Sequence, residues 1–210
     1  SLEHRVQFRS ELLVQLDITT GEDGNFAALW ETSLAMSPDT IFLDDIQTSE
    51  EVTSLLEGAA AGITVIAQVR APGTITALGK LLDLKIDAGA LGRNLLGVVS
   101  RRAYRRLCPE CRKAKILSAE EAQAFGFDTG VTVYVAGSCD TCHGGYVGER
   151  MVFDVRAHSP ELADLIKAAS ADREVLQSLP RDLPTSLTLA LREAVVAGDI
   201  AIDDAARRLC

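Results

Sequence analysis

Positive charge is scarce in this sequence: 21 lysines and arginines stand against 30 acids, a formal net charge of −9. Phosphate contacts need a basic surface, so the balance argues against a general nucleic-acid binder. Aromatic residues make up only 5% of the chain, and aliphatic and alanine packing must fill most of the core. Long apolar runs are missing too. The stretch Ala59–Val69 is too short to span a bilayer and contains Gly62 and Gln68. The opening Ser1-Leu2-Glu3-His4-Arg5 leads into no apolar run, so it does not read as a signal peptide. There is no initiator methionine and the first residues already read as strand, so the sequence reads as a piece of a longer chain or as one whose upstream segment was removed. Internal repeats and low-complexity segments are absent.

What is present is globular. Hydrophobic residues make up 47% and charged residues 24% of 210, enough for one large domain or one domain with a small appendage. Glu11 to Ile18 alternates weakly. Phe26, Leu29, Trp30, Ser33 and Leu34 recur at helical spacing up to Met36, and Ser37-Pro38-Asp39 stops that helix. Thr40 to Ile46 is a short apolar run ending in Asp44 and Asp45, the pattern of a buried parallel strand. Thr48-Ser49-Glu50-Glu51 is a capping box that predicts a helix from about Ser49 to Ala60. A strand over Ile63 to Val69 and a helix over Thr74 to Leu84 follow. Strand, helix, strand, helix predicts an α/β fold with a parallel sheet and crossover helices.

The character changes near Arg101, where seven basic residues fall between Arg101 and Lys115. That stretch reads either as an acid- or phosphate-binding patch or as a solvated helix face. Ser118 to Glu121 is a second capping box, with Gly126 as the helix stop. Strands are expected over Val131 to Val135 and Met151 to Val155. Ser159-Pro160 opens a helix reaching about Ala169. Further helices are expected over Thr185 to Ala197, closed by Gly198, and over Asp203 to Leu209.

Cysteine usage carries the most specific signal. Cys108-Pro-Glu-Cys111 and Cys139-Asp-Thr-Cys142 are two CxxC pairs separated by 27 residues. Each knuckle offers two thiolates, and two knuckles complete a tetrahedral zinc site. The alternatives are two buried thiol pairs or a redox dithiol. Such a closed site has no open coordination position; its role is folding energy rather than catalysis. His143 is not needed as a ligand, and Cys210 reads as a terminal bystander thiol. The pattern fits a reducing compartment better than a disulfide framework, with the cytoplasm as default.

The order of these motifs resembles the C-terminal half of the type II secretion and type IV pilus-assembly ATPases, which are hexameric, RecA-like P-loop motors. Ser37-Pro38-Asp39-Thr40-Ile41-Phe42-Leu43-Asp44-Asp45-Ile46 resembles the family's Walker B segment, and Leu2-Glu3-His4-Arg5-Val6-Gln7 its acidic box. Ala61 to Ile66 sits where the family has its histidine-rich box. Arg101 to Cys108 resembles the Gln-Arg-Leu stretch before the first CxxC, and Gly145-Tyr146-Val147-Gly148 the Gly-Tyr-x-Gly after the second. The resemblance implies Asp45 as a degenerate Walker B acid holding a magnesium-bound water, with Asp44, Glu3 and Arg102 near the nucleotide. The plainer reading of Asp44 and Asp45 is a pair of solvated acids at a sheet edge.

The departures matter equally. No Gly-x-x-x-x-Gly-Lys-Ser/Thr occurs, so ATP and magnesium could be used only with an upstream P-loop. Asp45 stands for the Walker B glutamate, Gln47 and Thr48 for an arginine and an aspartate, His4, Arg5 and Gln7 for two acids and a proline of the acidic box, Ile63 and Arg70 for the two histidines, and Glu31 and Ala35 for arginines. Phosphoryl transfer depends on such positioned charges. The resemblance therefore implies a RecA-like core fragment over residues 1–100, a tetracysteine zinc subdomain over 101–157 and a helical tail over 158–210. The function it implies is that of a weakly active or inactive ATPase-like component of a secretion or pilus machine. Such a component would be cytoplasmic or peripheral at the inner membrane. It would assemble with related ATPase subunits and with cytoplasmic domains of inner-membrane proteins. A fragment of an authentic motor and a zinc-stabilised adaptor are the rival readings.

Overall fold

The computed structural model describes residues 1–18, 26–178 and 187–209. They form two compact units, Ser1–Leu96 with Ala157–Leu179, and Gly97–Arg156 with Pro180–Cys210. Contact thus groups the chain differently from the three successive segments read along the sequence: the helical tail is shared between the units.

The first unit is built on a four-stranded, wholly parallel sheet of β1 (Leu2–Glu3), β2 (Leu16–Asp17), β3 (Thr40–Leu43) and β4 (Thr64–Ala67), in the order β2-β1-β3-β4. Helix α1 (Phe26–Ala35) precedes β3, and α2 (Ser49–Ala60) makes the crossover to β4. The capping box starts α2 as expected: the Thr48 side chain accepts from the Glu51 N–H, and the Glu51 carboxylate accepts from the Thr48 N–H. Ile41 and Leu43 point into a core with Leu2, Ile18, Phe26, Trp30 and Leu55. Gly58 on α2 lies against the Trp30 ring, which a Cβ there would approach to 2.9 Å. The apolar run of β4 is the last strand of the described sheet, and its Ile66 is 54% exposed. Of the segment Glu11 to Ile18, only Leu16–Asp17 pairs as strand, because Ser10 to Leu13 closes a turn. Helices α3 (Thr74–Asp83), α4 (Ala88–Asn94) and α6 (Pro160–Ala169) complete this unit with a 3-10 turn over Arg173–Ser178. Helix α4 has no apolar period long enough to announce it; Asp87 caps it through the N–H groups of Gly89 and Ala90.

The second unit holds β5 (Gly97–Leu107) paired with β8 (Tyr146–Ala157), and an antiparallel pair of β6 (Lys113–Ile116) and β7 (Thr132–Val135). Helices α5 (Ala119–Phe125), α7 (Leu187–Val196) and α8 (Ile202–Leu209) pack with them around Tyr104, Val133, Val152, Leu191, Val195 and Ile200. The helix-face reading of the basic stretch is corrected here. Arg101 to Leu107 is strand, with Tyr104 buried and Arg101, Ala103 and Arg105 exposed on the alternating side. Helix α5 begins and ends as the sequence predicts, at a Ser118–Glu121 capping box and a left-handed Gly126. The expected helix start at Thr185 and the terminal Cys210 lie outside the described residues.

Candidate functional site

Two side-chain clusters stand out, one in each unit. The first lies at the C-terminal ends of the parallel strands, where an α/β sheet forms its ligand crevice. Asp44 and Asp45 leave β3, His4 leaves β1, Arg70 follows β4, and Glu51 sits in the first turn of α2. His4 Nδ1 is 2.7 Å from Asp44 Oδ1, and the His4 backbone N–H donates to Asp44 Oδ2 at 3.0 Å. The other ring nitrogen, Nε2, faces Glu51 Oε1 at 3.7 Å. Arg70 Nε donates to Asp45 Oδ2 at 2.9 Å, and the Gln47 amide approaches the same oxygen at 3.5 Å.

The plainer reading of solvated acids is therefore corrected for Asp45, whose side chain is only 11% exposed while its guanidinium partner is 78% exposed. A carboxylate in that position needs a compensating cation, and Arg70 supplies it. Glu3 is tied elsewhere: its Oε1 accepts from Ser1 Oγ at 2.7 Å and from Gln15 Nε2 at 2.9 Å. Arg102, expected near a nucleotide, is a half-buried residue of β5 in the second unit. His4, Glu51 and Arg70 were visible in the sequence only as departures from the family pattern and as a capping residue. Their convergence follows from parallel strand order.

The second cluster is made by the four cysteines. Cys108 follows β5, Cys111 precedes β6, and Cys139 and Cys142 lie between β7 and β8. Their sulfurs all lie within 4.8 Å of one another. The Cys108–Cys139, Cys111–Cys142 and Cys139–Cys142 separations are 3.8, 3.7 and 3.4 Å. Zinc–thiolate bonds of about 2.3 Å in a tetrahedron require sulfurs about 3.8 Å apart, so the donor set fits that ion.

Backbone contacts set the knuckles. The Cys108 N–H donates to the Gly145 carbonyl at 2.8 Å, and the Gly145 N–H reaches Cys142 Sγ at 3.3 Å. Gly145 adopts φ +89° and lies where a Cβ would meet the Gly137 carbonyl at 2.7 Å. Gly137 is tighter still, because a Cβ there would fall 1.8 Å from the Cys111 carbonyl oxygen. Thr141 joins the knuckles by donating to Glu110 Oε2 at 2.7 Å. The Thr141 hydroxyl and its N–H lower the Cys139 thiol pKa to about 7, whereas desolvation, followed by the neighbouring thiols, pushes Cys111 up to about 12.

The basic stretch connects these knuckles to the helices of the same unit. Arg112 donates to the carbonyls of Ala197 and Gly198 at 2.9 and 2.6 Å and stacks on Tyr134. Arg105 bonds Asp204 at 2.8 Å and lies 3.9 Å over the Tyr146 ring. Arg106 and Arg150 approach the two carboxylate oxygens of Asp199 at 3.6 and 3.5 Å. Lys115 pairs with Glu121 at 2.6 Å. These cations are neither a free patch nor merely solvated.

With both clusters placed, comparison with known proteins decides the family. The profile described as type II/IV secretion system protein matches residues 1–207. The chain belongs to that family. Among its relatives, the putative type II secretion system protein E of Escherichia coli is 26% identical over 210 residues, covering 99% of this chain and 42% of the relative. The type IV pilus assembly ATPase PilB of Thermus thermophilus is 24% identical over 180 residues, covering 83% of this chain and 20% of the relative. The chain thus spans less than half the length of these relatives. The fold matches that of the Legionella pneumophila ATPase DotB, with a TM-score of 0.66 at 13% identity over 97% of this chain and 48% of that one. The pilus retraction motor PilT, solved with bound ADP, gives a TM-score of 0.62 at 16% identity, covering 93% of this chain and 46% of that one. Among the described residues no helix is long and apolar enough to cross a membrane.

Proposed function

We propose that this chain is the RecA-like C-terminal part of a secretion or pilus-assembly ATPase whose own residues support little or no ATP hydrolysis. The family match over residues 1–207 carries the first half of that reading. The second half rests on the strand-end cluster. Asp45, the residue the resemblance assigns to a magnesium-bound water, is buried and already bonded to Arg70 at 2.9 Å. Asp44 is bonded to His4 at 2.7 Å. The residues present do not suit a divalent cation at that point. The phosphate cradle of a motor would have to come from outside these 210 residues.

The four cysteines do suit zinc. Cys108, Cys111, Cys139 and Cys142 would hold it, and it would supply folding energy rather than reactivity, since four thiolates leave no open position. The natural working state is an oligomer with related ATPase subunits, seated in the cytoplasm against cytoplasmic domains of inner-membrane secretion or pilus proteins. Two measurements on the native protein test the reading. Phosphate release with magnesium and ATP should stay at background; sustained release that Asp45→Asn abolishes refutes the inactive half. Light scattering after co-expression with an active homologue should show a mixed assembly; a strict monomer at low and high salt refutes the assembly half and favours an adaptor.

A further inference from the structure

The strand-end cluster carries an inference that rests on the family reading and deepens it. Three carboxylates, Asp44, Asp45 and Glu51, lie near the ends of the parallel strands, and Asp45 and Glu51 are buried. In a site built for a divalent cation such acids point at a shared opening and keep free oxygens. Here the acids are occupied from within the chain. Arg70, arriving from β4, donates to Asp45 Oδ2 at 2.9 Å, and Gln47 adds its amide at 3.5 Å. His4, arriving from β1, engages both oxygens of Asp44, through its backbone N–H at 3.0 Å and its ring at 2.7 Å. Glu51 Oε2 accepts the N–H groups of Gln47 and Thr48 at 2.7 and 2.9 Å, and its Oε1 faces the His4 ring at 3.7 Å.

We propose that the strand-end acids are occupied from within the chain, Asp45 by the Arg70 guanidinium as a built-in cation and Asp44 by hydrogen bonds from His4, so that neither binds magnesium. The physical reason is charge. A guanidinium in contact with a carboxylate supplies the positive charge that a bound metal would otherwise supply, and it disfavours a second cation beside it.

The test is manganese binding, used as a paramagnetic stand-in for magnesium, followed by electron paramagnetic resonance on zinc-loaded chain so that the thiolates are already filled. Wild type should show no binding that depends on Asp45. His4→Ala/Arg70→Ala should gain a manganese signal that wild type lacks, and adding Asp45→Asn should remove it. Because Arg70 is 78% exposed, Arg70→Gln alone carries the same test if the double variant does not fold. Manganese bound to wild type and lost in Asp45→Asn overturns the proposal. So does a folded Arg70 variant that gains nothing, since the guanidinium would then not be what keeps metal away. Neither result touches the family assignment, which is read separately from assembly of the native protein with its homologue.

Discussion

Replacing Gly137 by alanine should disorganise the cysteine module without touching any cysteine. A Cβ at Gly137 would lie 1.8 Å from the Cys111 carbonyl oxygen, 2.8 Å from its carbonyl carbon and 3.3 Å from its Cβ. The obstacle is backbone, so no flexible side chain can swing away. Either the segment after β7 or the first knuckle must shift, and both carry cysteines of the cluster. Overpacking of a rigid site costs about 3 kcal/mol, at the upper end of the usual range. For a chain of this size that corresponds to a fall in melting temperature of roughly 6–12 °C. The assay pairs thermal unfolding with zinc retention against a chelator. Gly144→Ala supplies the control. Gly144 has φ +59° but nothing within 4 Å of its Cβ position, so alanine there should cost only about 1 kcal/mol of left-handed backbone strain. The reasoning fails if Gly137→Ala melts within a degree or two of wild type and holds zinc equally well, or if the two alanines behave alike.

The purified chain should carry about one zinc, the stoichiometry of a closed four-thiolate site, and folded, chelator-free protein without metal would refute the assignment. Cys108→Ser should lose the metal and loosen mainly the segment from about Arg105 to Tyr146, as hydrogen exchange would show; uniform destabilisation of both units would count against it. Zinc uptake near neutral pH should release protons, because Cys111, raised to about 12, is still a thiol there. Affinity should accordingly fall as pH is lowered, most visibly below about 7, where Cys139 also regains its proton. Leu191→Ala, which empties a fully buried position on α7, should cost about 3 kcal/mol in denaturant unfolding, and a cost under about 1 kcal/mol would contradict the packing of that helix.

Helices bounded by side-chain chemistry were readable to the residue. Helix α2 runs Ser49–Ala60 and α5 runs Ala119–Phe125 because each starts at a reciprocal Ser/Thr–Glu cap. Ser159-Pro160 fixed the start of α6 in the same way. The parallel order of β3 and β4 followed from the intervening helix. What escaped was structure whose cause is distant. Strand β5 carries four arginines in eleven residues and looked like a charged helix face. It is extended because β8 pairs with it and because Asp199 and Asp204, roughly a hundred residues later, receive two of those arginines. No local propensity records such partners.

The two clusters were unequally legible for a physical reason. Ligands for a tetrahedral ion must come in short-range pairs, since a knuckle delivers two sulfurs from one turn. The spacing Cys108–Cys111 and Cys139–Cys142 therefore appears directly in the sequence, and the structure needs only to bring two turns together. The strand-end cluster obeys no such local rule. His4, Asp44, Glu51 and Arg70 come from four places joined only by sheet order, and each residue has a sufficient local explanation of its own. Glu51 reads as a cap, Asp44 as the end of a strand, and His4 and Arg70 as lost family positions. Only when β1, β3 and β4 lie side by side do the apparent losses become partners, each bonded to an acid that remains. A motif compared one position at a time sees decay there. The same residues compared as contacts show partnership, in which Arg70 compensates the buried Asp45 and His4 hydrogen-bonds Asp44 beside it.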